Sequence, residues 1–300
     1  MNDWDSPAAA SAIGDEGYAV DALAAVLSDH PGALVLTGAG ISTDSGIPDY
    51  RGPDGVSRAT PMTHSEFVGS SQARQRYWAR SYAGWARFGA AAPNPGHRAV
   101  ARLQAGGVLG SVITQNVDGL HQRAGSMDVV ELHGSLAEVV CLDCGAAFPR
   151  ERVQAAMLAD NPGFLGSVLD SSADGGPVSS QIRPDGDVVL SAGAVDDFRT
   201  PRCPQCAADT LKPDVVFFGG SVPAGRVELC AALTDNAPAL VVLGSSLAVM
   251  SGLRFVRRAH AHGIPVAIVT RGWCRGDDLA TLRLDVPLSP LLAGVADRLG

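Results

Sequence analysis

Six short apolar segments, each followed by small or polar residues, recur along the chain. They are Ala33–Leu36, Leu109–Thr114, Val129–Leu132, Val215–Phe218, Leu240–Leu243 and Val266–Val269. Apolar segments of this length suit strands that are buried on both faces of a parallel sheet. Helical patterns lie between several of them, for example the one that begins at Ala19 and the one that begins at Leu253. This alternation predicts an α/β fold, built on a Rossmann-like, doubly wound parallel sheet.

The composition excludes several classes of protein. With 46% hydrophobic and 18% charged residues, the 300-residue chain is too apolar to be disordered. It contains no run of about 18 apolar residues, as a membrane-spanning helix requires, and its acidic N-terminus does not resemble a signal peptide. A net charge of −8 provides no overall attraction to nucleic acid or to an anionic membrane. Among 23 basic residues only Lys212 is a lysine; this bias suggests a GC-rich bacterial genome, and we expect a cytoplasmic protein.

Two regions interrupt the alternation of strands and helices. Residues 57–93 are helix-like and rich in arginine and aromatic residues, and residues 136–206 lie between cysteine pairs and include a Gly/Ser/Asp-rich segment typical of a loop. One interpretation is a single domain with two insertions; the other is a ligand cleft between the carboxyl edge of the sheet and these insertions. We expect a discontinuous Rossmann-like domain formed by 1–56, 94–135 and 207–300, a helical insertion at 57–93 and a separate module that contains the cysteine pairs at 136–206.

A glycine-rich turn, Gly38–Gly40, follows the first apolar segment. Glycines in such a turn let backbone N–H groups approach a pyrophosphate, although an ordinary tight turn uses the same residues. A redox dinucleotide fold continues from this turn into a long helix, whereas Gly46 and Pro48 end any helix here within two turns. The segment Ile47–Gly52 then adds an acid, an aromatic residue and an arginine. The turn therefore favours a nucleotide that reacts at its sugar end over a hydride carrier.

Polar residues also follow two later segments. Gln115, Asn116 and Asp118 could bind a ribose or a carboxamide, or could form a capping cluster. His133 follows the third segment, 15 residues after Asp118. An imidazole there is a candidate general base because its pKa is near neutrality, and a buried structural histidine is the alternative. The remaining histidines lack this support and are interpreted as structural or surface residues: His30, His64, His97, His121, His260 and His262.

Four cysteines form two Cys-x-x-Cys pairs. These are Cys141, Cys144, Cys203 and Cys206. Two such pairs predict a tetrahedral zinc site, and four thiolate ligands leave no open position, so the metal would be structural. The separation is longer than in a zinc ribbon, and two unrelated thiol pairs are the alternative. We interpret Cys230 as a core residue and assign no role to Cys274. Finally, the turns at Gly244 and Thr270 could hold an adenosine, although each alone is an ordinary strand-to-helix turn.

In order along the chain, the segments GAGISTDSGIPDYRG, TQNVDGLH, ELHGS, the cysteine pairs, KPDVVFFG and LGSSL resemble the sirtuins, the NAD-dependent protein deacylases. The resemblance covers about residues 15–300, and its details are most similar to the class II branch. It implies one structural zinc on the four cysteines and catalytic roles for His133, Asn116 and Asp118, with His133 as the base. It implies NAD contacts from Gly38, Ala39, Gly40, Ser42, Asp49, Tyr50, Arg51, Gln115, Asn116, Val117, Asp118, Gly244, Ser245, Ser246, Thr270, Arg271, Gly272 and Leu288.

The resemblance also implies a reaction. The carbonyl oxygen of an acyl-lysine attacks the anomeric carbon of the nicotinamide ribose, nicotinamide leaves, and the histidine helps a ribose hydroxyl to take the acyl group. The products are free lysine, nicotinamide and O-acyl-ADP-ribose, and the expected partners are acyl-lysine proteins acted on by a monomer. One departure concerns Thr270, where many sirtuins have asparagine. Threonine is shorter and lacks the amide donor, which places the contact with the adenosine ribose in doubt.

Tyr77 and Arg80 resemble the Tyr-x-x-Arg pair with which one sirtuin branch binds negatively charged acyl groups. Residues three apart share a face of a helix, so the phenol and the guanidinium could hold one carboxylate. The alternative is a solvated helical face, because Arg74, Arg76 and Arg87 lie close by.

Competing functions follow from the same residues. The first is mono-ADP-ribosyl transfer to a protein from the same NAD pocket. The second is a non-catalytic, NAD-sensing zinc scaffold, which the presence of Asn116, Asp118 and His133 disfavours. A redox dehydrogenase is disfavoured by Gly46 and Pro48, and a nucleic-acid-binding zinc ribbon by the acidic net charge.

Overall fold

The computed structural model describes residues 12–13, 16–52, 54–57, 60–166, 186–188, 190, 193 and 195–300. The Gly/Ser/Asp-rich segment at 171–180, predicted to be a loop, lies outside these residues. The strands of the described residues are β1 (Ala12–Ile13), β2 (Ala33–Thr37), β3 (Leu109–Thr114), β4 (Val129–Glu131), β5 (Gly134–Cys141), β6 (Ala147–Pro149), β7 (Leu211–Val215), β8 (Leu240–Leu243), β9 (Val266–Val269) and β10 (Leu282–Asp285). Their helices are α1 (Glu16–Asp29), α2 (His64–Gly69), α3 (Ser71–Ala90), α4 (Pro95–Ala105), α5 (Leu120–Arg123), α6 (Arg150–Asp160), α7 (Ala224–Asp235), α8 (Met250–Ala261) and α9 (Leu288–Leu299).

The chain forms two compact units. The first contains residues 1–58, 92–132 and 222–300, and the second contains residues 59–91 and 133–221. At the centre of the first unit lies a seven-stranded sheet in the order β1-β10-β9-β8-β2-β3-β4, in which every neighbouring pair is parallel. The winding direction reverses between β2 and β8, which makes this pair the topological switch point where ligands of such sheets bind. The predicted doubly wound parallel sheet is confirmed.

Apolar side chains bury both faces of this sheet. One face packs against α1, α4 and α9, whose contributions include the buried Leu23, Leu103 and Val295. The other face packs against α7 and α8 through Cys230 and Phe255, among others. Cys230 is fully buried, which confirms its interpretation as a core residue. Because helices cover both faces, the strands read as continuous apolar segments rather than as alternating ones.

The prediction that Val215–Phe218 is a strand of the parallel sheet is wrong. Val215 instead ends β7, which pairs antiparallel with β5 in the three-stranded sheet β6-β5-β7 of the second unit. Pro213 lies within β7, and its missing N–H suits an edge strand. Phe217 is buried by the rings of Phe67 and Tyr77, not by a sheet. Phe217 is therefore apolar because it packs against residues of α2 and α3.

The parallel sheet also contains a strand that the apolar pattern missed. In β10 the charged Arg283 and Asp285 alternate with two leucines, so the sequence shows no apolar run. The structure accommodates Arg283 because its guanidinium donates to backbone carbonyls, at 2.8 Å to that of Thr270. Local hydrogen bonding thus allows a half-buried charged residue between the two buried leucines of this strand.

Two helices form most of the region that was predicted to be helix-like. Thr63 begins α2 with a capping box, in which its side chain accepts from the Glu66 backbone N–H. The 20-residue helix α3 follows, and Trp78 and Tyr82 on its inner face are almost wholly buried. Across the described ranges, no helix combines the length and the apolar character that crossing a membrane requires.

Candidate active site

The carboxyl ends of four adjacent strands lie level at one edge of the parallel sheet. Thr37, at the end of β2, is paired with Thr114 of β3 and Leu243 of β8, and Leu243 is paired with Val269 of β9. The next residue on each strand therefore emerges beside its neighbours. These residues are Gly38, Gln115, Gly244 and Thr270. The strand register thus brings together four of the predicted NAD-binding turns.

The glycines of this edge are required by the close approach of two turns. A Cβ added to Gly38 would lie 2.7 Å from the Cβ of Ser245, and one added to Gly40 would lie 2.8 Å from the carbonyl oxygen of Gly244. Gly244 itself has a φ of 65°, and a Cβ there would lie 2.6 Å from the Ile41 nitrogen. Since backbone atoms cannot move aside as a side-chain end can, any larger residue would separate β2 from β8. Packing between the two turns is a reason for these glycines besides the predicted phosphate contact.

A short helix follows the glycine turn. Residues Ala39–Ser45 form a 3₁₀ helix that ends at Gly46, which adopts the left-handed conformation with a φ of 80°. The prediction that Gly46 and Pro48 end the helix early is confirmed. The N–H groups of Gly38 and Gly40 already donate to the carbonyl oxygens of Leu243 and Gly244. These two amides therefore hold the turn together.

Ser42, Asn116 and Asp118 form a polar cluster at this edge. The Ser42 hydroxyl donates to Asp118 Oδ2 at 2.7 Å and accepts from Asn116 Nδ2 at 3.1 Å. Asn116 Nδ2 also donates to the Gly38 carbonyl at 3.1 Å, so both amide hydrogens are used within the protein. Desolvation raises the pKa of the Asp118 carboxyl, against hydrogen bonds from Leu120 and Ser42 that lower it. The arrangement orients the amide and the carboxyl and leaves Asn116 Oδ1 outside these bonds.

Two histidines that sequence reasoning left outside the site are buried beside this cluster. His97 Nε2 lies 3.5 Å from Ser42 Oγ, and His121 Nε2 lies 3.1 Å from Thr37 Oγ1. Their rings meet edge to face with centroids 5.0 Å apart, and neither is more than 1% exposed. Burial lowers the pKa of His97 to about 4 and that of His121 to about 3, so both rings are neutral at pH 7. The sequence feature that could have drawn attention to His97 is the Asn-Pro-Gly-His segment, which begins α4 with a capping box.

Gln115 joins three parts of the sheet edge. Its Nε2 donates to the Thr37 carbonyl at 3.1 Å and to Ser245 Oγ at 2.8 Å. A Cβ on Gly252, near the start of α8, would lie 2.6 Å from Gln115 Oε1. The glutamine therefore ties β2, the turn after β8 and α8 together. Its amide hydrogens are directed towards protein acceptors.

The turn after β9 is held by β10. The Thr270 N–H donates to the Leu284 carbonyl, and its own carbonyl accepts from Arg283 Nη1 at 2.8 Å. The Gly272 N–H donates to Asp285 Oδ2 at 3.1 Å. These bonds fix the backbone of the predicted adenosine turn. Nearby, Leu288 would meet a Cβ on Gly244 at 2.8 Å.

Cys274, which had no predicted role, lies in the same turn. It is 2% exposed, and its thiol donates to the Ser245 carbonyl at 3.5 Å. Burial raises its pKa to about 11, so the sulfur is a neutral thiol at pH 7. The structure therefore makes Cys274 part of the packing beneath the turn that follows β8.

Residues Asp49, Tyr50 and Arg51 are half-buried and lead into a small hairpin. Arg51 Nη1 donates to the Gly55 carbonyl at 2.9 Å, and Arg51 and Ser57 form an antiparallel bridge. Residues 46–50 connect this hairpin to the helix of the glycine turn.

His133 belongs to the second unit, at the start of β5. Its carbonyl accepts from the Val216 N–H at 2.8 Å, and its side chain is half-buried. The next residue, Gly134, has a φ of 82°, and a Cβ there would lie 1.9 Å from the Asp214 carbonyl oxygen. The glycine of the ELHGS segment is therefore required for β5 and β7 to pair directly after His133.

The four cysteines of the two pairs meet in the second unit. Their sulfur atoms all lie within 4.8 Å of one another, with 3.6 Å between Cys141 and Cys206 and 3.7 Å between Cys144 and Cys203. A tetrahedral ion with Zn–S bonds of about 2.3 Å separates its sulfurs by about 3.8 Å. The cluster thus fits a structural zinc ion, as predicted.

Tyr77 and Arg80 lie one turn apart on α3. Tyr77 is 2% exposed, and its ring packs edge to face against Phe67 and Trp78. The alternative of a solvated helical face is therefore wrong for Tyr77. Arg80 is half-buried, and its Nε has no hydrogen-bond partner within the described ranges.

Fold and site together define a nucleotide-binding α/β protein with a cluster of four cysteines that could hold a metal ion. A comparison with known families matches residues 38–251 to the Sir2 family. The chain belongs to this family, as its resemblance to the sirtuins predicted.

Several curated proteins are similar over most of the chain. The NAD-dependent protein deacetylase 1 of Streptomyces coelicolor is 56% identical over 270 residues, which are 90% of this chain and 86% of that protein. The NAD-dependent protein deacylase SRT2 of Arabidopsis thaliana is 45% identical over 271 residues, 88% of this chain and 72% of that protein.

Solved Sir2 structures have the same fold. One, described as the structural basis for the mechanism and regulation of Sir2 enzymes, has a TM-score of 0.71 and 28% identity, and covers 95% of this chain and 98% of its own. Another, a Sir2 complex with a p53 peptide and NAD⁺, has a TM-score of 0.69 and 29% identity, with coverages of 93% and 98%.

Proposed function

We propose that this protein is an NAD-dependent protein lysine deacylase that transfers the acyl group of an acyl-lysine to ADP-ribose and releases nicotinamide. The observation that carries the proposal is the cluster of Ser42, Asn116 and Asp118 at the carboxyl ends of β2 and β3, beside the switch point of the sheet, with their hydrogen bonds directed as described above. Membership of the Sir2 family and the names of the similar proteins support the same activity.

The residues of the sheet edge fit a dinucleotide. The turns after β2 and β8 approach so closely that no side chain fits between them, which leaves the turn at Gly38–Gly40 and the turn at Gly244–Ser246 with small residues for a pyrophosphate and an adenosine. We assign the NAD contacts predicted from the sequence to these turns, to Asp49–Arg51, Gln115–Asp118 and Thr270–Gly272, and to Leu288. When bound, NAD supplies an electrophilic ribose carbon and nicotinamide as its leaving group.

Asn116 and Asp118 are proposed to orient the reacting end of the dinucleotide. Because Asn116 spends both amide hydrogens on Gly38 and Ser42, its Oδ1 is the atom available to accept from a ligand. Asp118 accepts from Ser42 and from the Leu120 N–H at 2.9 Å, which fixes the plane of its carboxyl. Groups held in advance in this way lower the barrier without reorganising during the reaction.

His133 is proposed as the general base. A neutral imidazole nitrogen can take the proton of a ribose hydroxyl as that oxygen bonds to the acyl carbon. A positioned base contributes roughly 10²–10⁴-fold to the rate. Loss of the ring should therefore slow turnover by about this factor while NAD binding persists.

Tyr77 and Arg80 are proposed to select the acyl group. The guanidinium of Arg80 is half-buried, and its donors suit a carboxylate at the end of a succinyl or glutaryl chain. Arg80→Met should abolish a preference for these groups over acetyl. The exposed Arg87 on the same helix provides the matched control, and Arg87→Met should leave the preference in place. An acyl preference that survives Arg80→Met contradicts this assignment.

Mass spectrometry of the reaction tests the proposed activity. The purified protein is incubated with NAD and with matched acetyl-, succinyl- and longer acyl-lysine peptides, and His133→Ala serves as the control. O-acyl-ADP-ribose that forms only with the wild-type protein is the expected result. ADP-ribose attached to protein would instead indicate mono-ADP-ribosyl transfer, and NAD binding without product would indicate a sensing scaffold.

The zinc cluster, the compartment and the assembly complete the proposal. Four protein thiolates leave no position for a substrate, so zinc would stabilise the second unit without taking part in the reaction. We propose a cytoplasmic monomer that acts on acylated proteins, and light scattering of the purified protein tests the monomer.

A further inference from the structure

We infer that His97 is a positioning residue for Asp118 and Asn116, and that it acts through the hydroxyl of Ser42. The hydrogen bonding belongs to the first unit and stands by itself. Its effect on catalysis rests on the proposed function. No part of the predicted NAD site included His97, which lies 55 residues from Ser42 along the chain.

The start of α4 fixes the tautomer of His97. Asn94 is the N-cap, and its side chain accepts from the His97 N–H at 3.2 Å. In return the Asn94 N–H donates to His97 Nδ1 at 3.4 Å. A nitrogen that accepts a hydrogen bond carries no proton, so the neutral ring must carry its hydrogen on Nε2. Glu or Gln usually takes this place in a capping box, and a histidine adds a second nitrogen on the far side of the ring.

That second nitrogen is directed at Ser42. His97 Nε2 lies 3.5 Å from Ser42 Oγ, which is long for a hydrogen bond, and the ring is fully buried. Asn116 Nδ2 also donates to Ser42 Oγ, at 3.1 Å. A hydroxyl has two lone pairs and one hydrogen. With two donors on its oxygen, Ser42 must direct its hydrogen to Asp118 Oδ2, 2.7 Å away. The hydrogen bonds therefore run in one direction, from His97 through Ser42 to Asp118.

The surroundings keep His97 in this state. Burial, together with the neighbouring positive charge of Arg98, lowers its pKa to about 4. His121 faces the ring from α5, and burial lowers its pKa as well. Asp118, reached through Ser42, and Arg123, whose charge acts on Asp118, are the other ionisable groups close to this chain of hydrogen bonds. His97 thus keeps its donor across the neutral pH range.

Three substitutions of His97 separate donation from capping. His97→Gln keeps an acceptor for the Asn94 N–H and a donor for Ser42, His97→Glu keeps only the acceptor, and His97→Leu keeps neither. We expect the Glu and Leu variants to lose about tenfold in kcat with NAD. The Glu carboxylate would compete with Asp118 for the Ser42 hydrogen, and Leu would remove one of the two donors that orient the Ser42 hydroxyl towards Asp118. The Gln variant should retain kcat within about threefold. The KM for the acyl-lysine peptide should change little in all three.

A double-mutant cycle with Ser42→Ala tests whether His97 acts through Ser42. If it does, the double variant Ser42→Ala/His97→Leu should be no slower than Ser42→Ala alone. Losses that multiply would overturn the inference, as would a Gln variant as slow as the Leu variant. Circular dichroism on each variant shows that it is folded, and the comparison between Gln and Glu remains decisive if the Leu variant is not.

Nuclear magnetic resonance provides a test that does not depend on activity. Long-range ¹H–¹⁵N spectra of the histidine-labelled protein report the tautomer of each ring, and His97→Gln identifies the signal of His97. A neutral ring with hydrogen on Nε2 at pH 7 is expected. Hydrogen on Nδ1, or a doubly protonated ring, would overturn the inference even in an active enzyme. An inactive wild-type protein that shows the expected tautomer would count against the proposed function alone.

Discussion

Each of the two units contains a buried polar side chain that is held in a different way, Ser42 in the first unit and Arg150 in the second. At the sheet edge of the first unit, the buried groups around Ser42 are neutral side chains whose hydrogens run towards Asp118. In the second unit, the fully buried Arg150 lies between Trp78 and Trp85, 5.0 and 4.5 Å from their ring centroids. The side chains around Ser42 are held by hydrogen bonds of defined direction, whereas the cation of Arg150 is enclosed by aromatic rings. The first arrangement orients the Ser42 hydroxyl, and the second anchors α6 against α3.

Removal of a zinc ligand should have the largest effect. Cys144→Ser leaves three thiolates, and metal binding of about 10 kcal/mol or more is coupled to folding in such clusters. The second unit should lose its zinc and unfold at a much lower temperature. Metal content and thermal unfolding measure this, and the buried Cys230 outside the cluster, changed to Ala, is the control. Full zinc content in Cys144→Ser would contradict the Cys₄ assignment.

Arg150 gives the next largest effect. The Arg150→Met substitution removes the contacts of the guanidinium with the rings of Trp78 and Trp85. It also removes the hydrogen bonds to Ser81, the shorter of which joins Nη1 to Oγ at 2.9 Å. We expect a loss of about 3 kcal/mol in the free energy of unfolding. Chemical denaturation measures it, with the exposed Arg152 of the same helix changed to Met as the control. Equal effects of the two substitutions would mean that burial of the cation contributes nothing.

The buried histidines make the first unit sensitive to acid. The pKa of His97 is lowered from 6.5 to about 4 in the folded protein, so between these values the unfolded state binds more protons. The contribution of this ring to the free energy of unfolding is complete above pH 6.5. It decreases by about 3 kcal/mol as the pH falls towards 4. Denaturation from pH 7 to 4 measures the decrease, which His97→Gln should make smaller. An equally steep decrease in the variant would show that His97 titrates normally.

An exposed ion pair should have the smallest effect. Arg102 and Asp297 lie 2.8 Å apart on the surface of the first unit, with side chains 49% and 76% exposed. Because water screens such a pair, Asp297→Asn should change the free energy of unfolding by less than about 1 kcal/mol. Denaturation at low and high salt measures it. A loss as large as that in Arg150→Met would remove the distinction between buried and exposed charge.

Local patterns predicted much of the fold. The segment Leu109–Thr114 is β3 to the residue, and Gly46 ends the helix of the glycine turn as expected. The pattern failed where burial came from elsewhere, since Phe217 is apolar because aromatic rings surround it. It failed again at Arg283, which remains in a strand because carbonyls accept its hydrogens. An apolar run reports that a residue is buried but not what buries it.

The sequence by itself determined the chemistry that depends on residue type and short spacing. Two Cys-x-x-Cys pairs predict a metal site, and the glycine turn, its early helix stop and the polar strand ends are all local properties. Only the tertiary structure decided which groups act on one another. It placed His97 against Ser42 and His121 against Thr37 across 55 and 84 residues of chain. Hydrogen-bond direction depends on every donor and acceptor around an atom, and no spacing in the chain specifies contacts so distant.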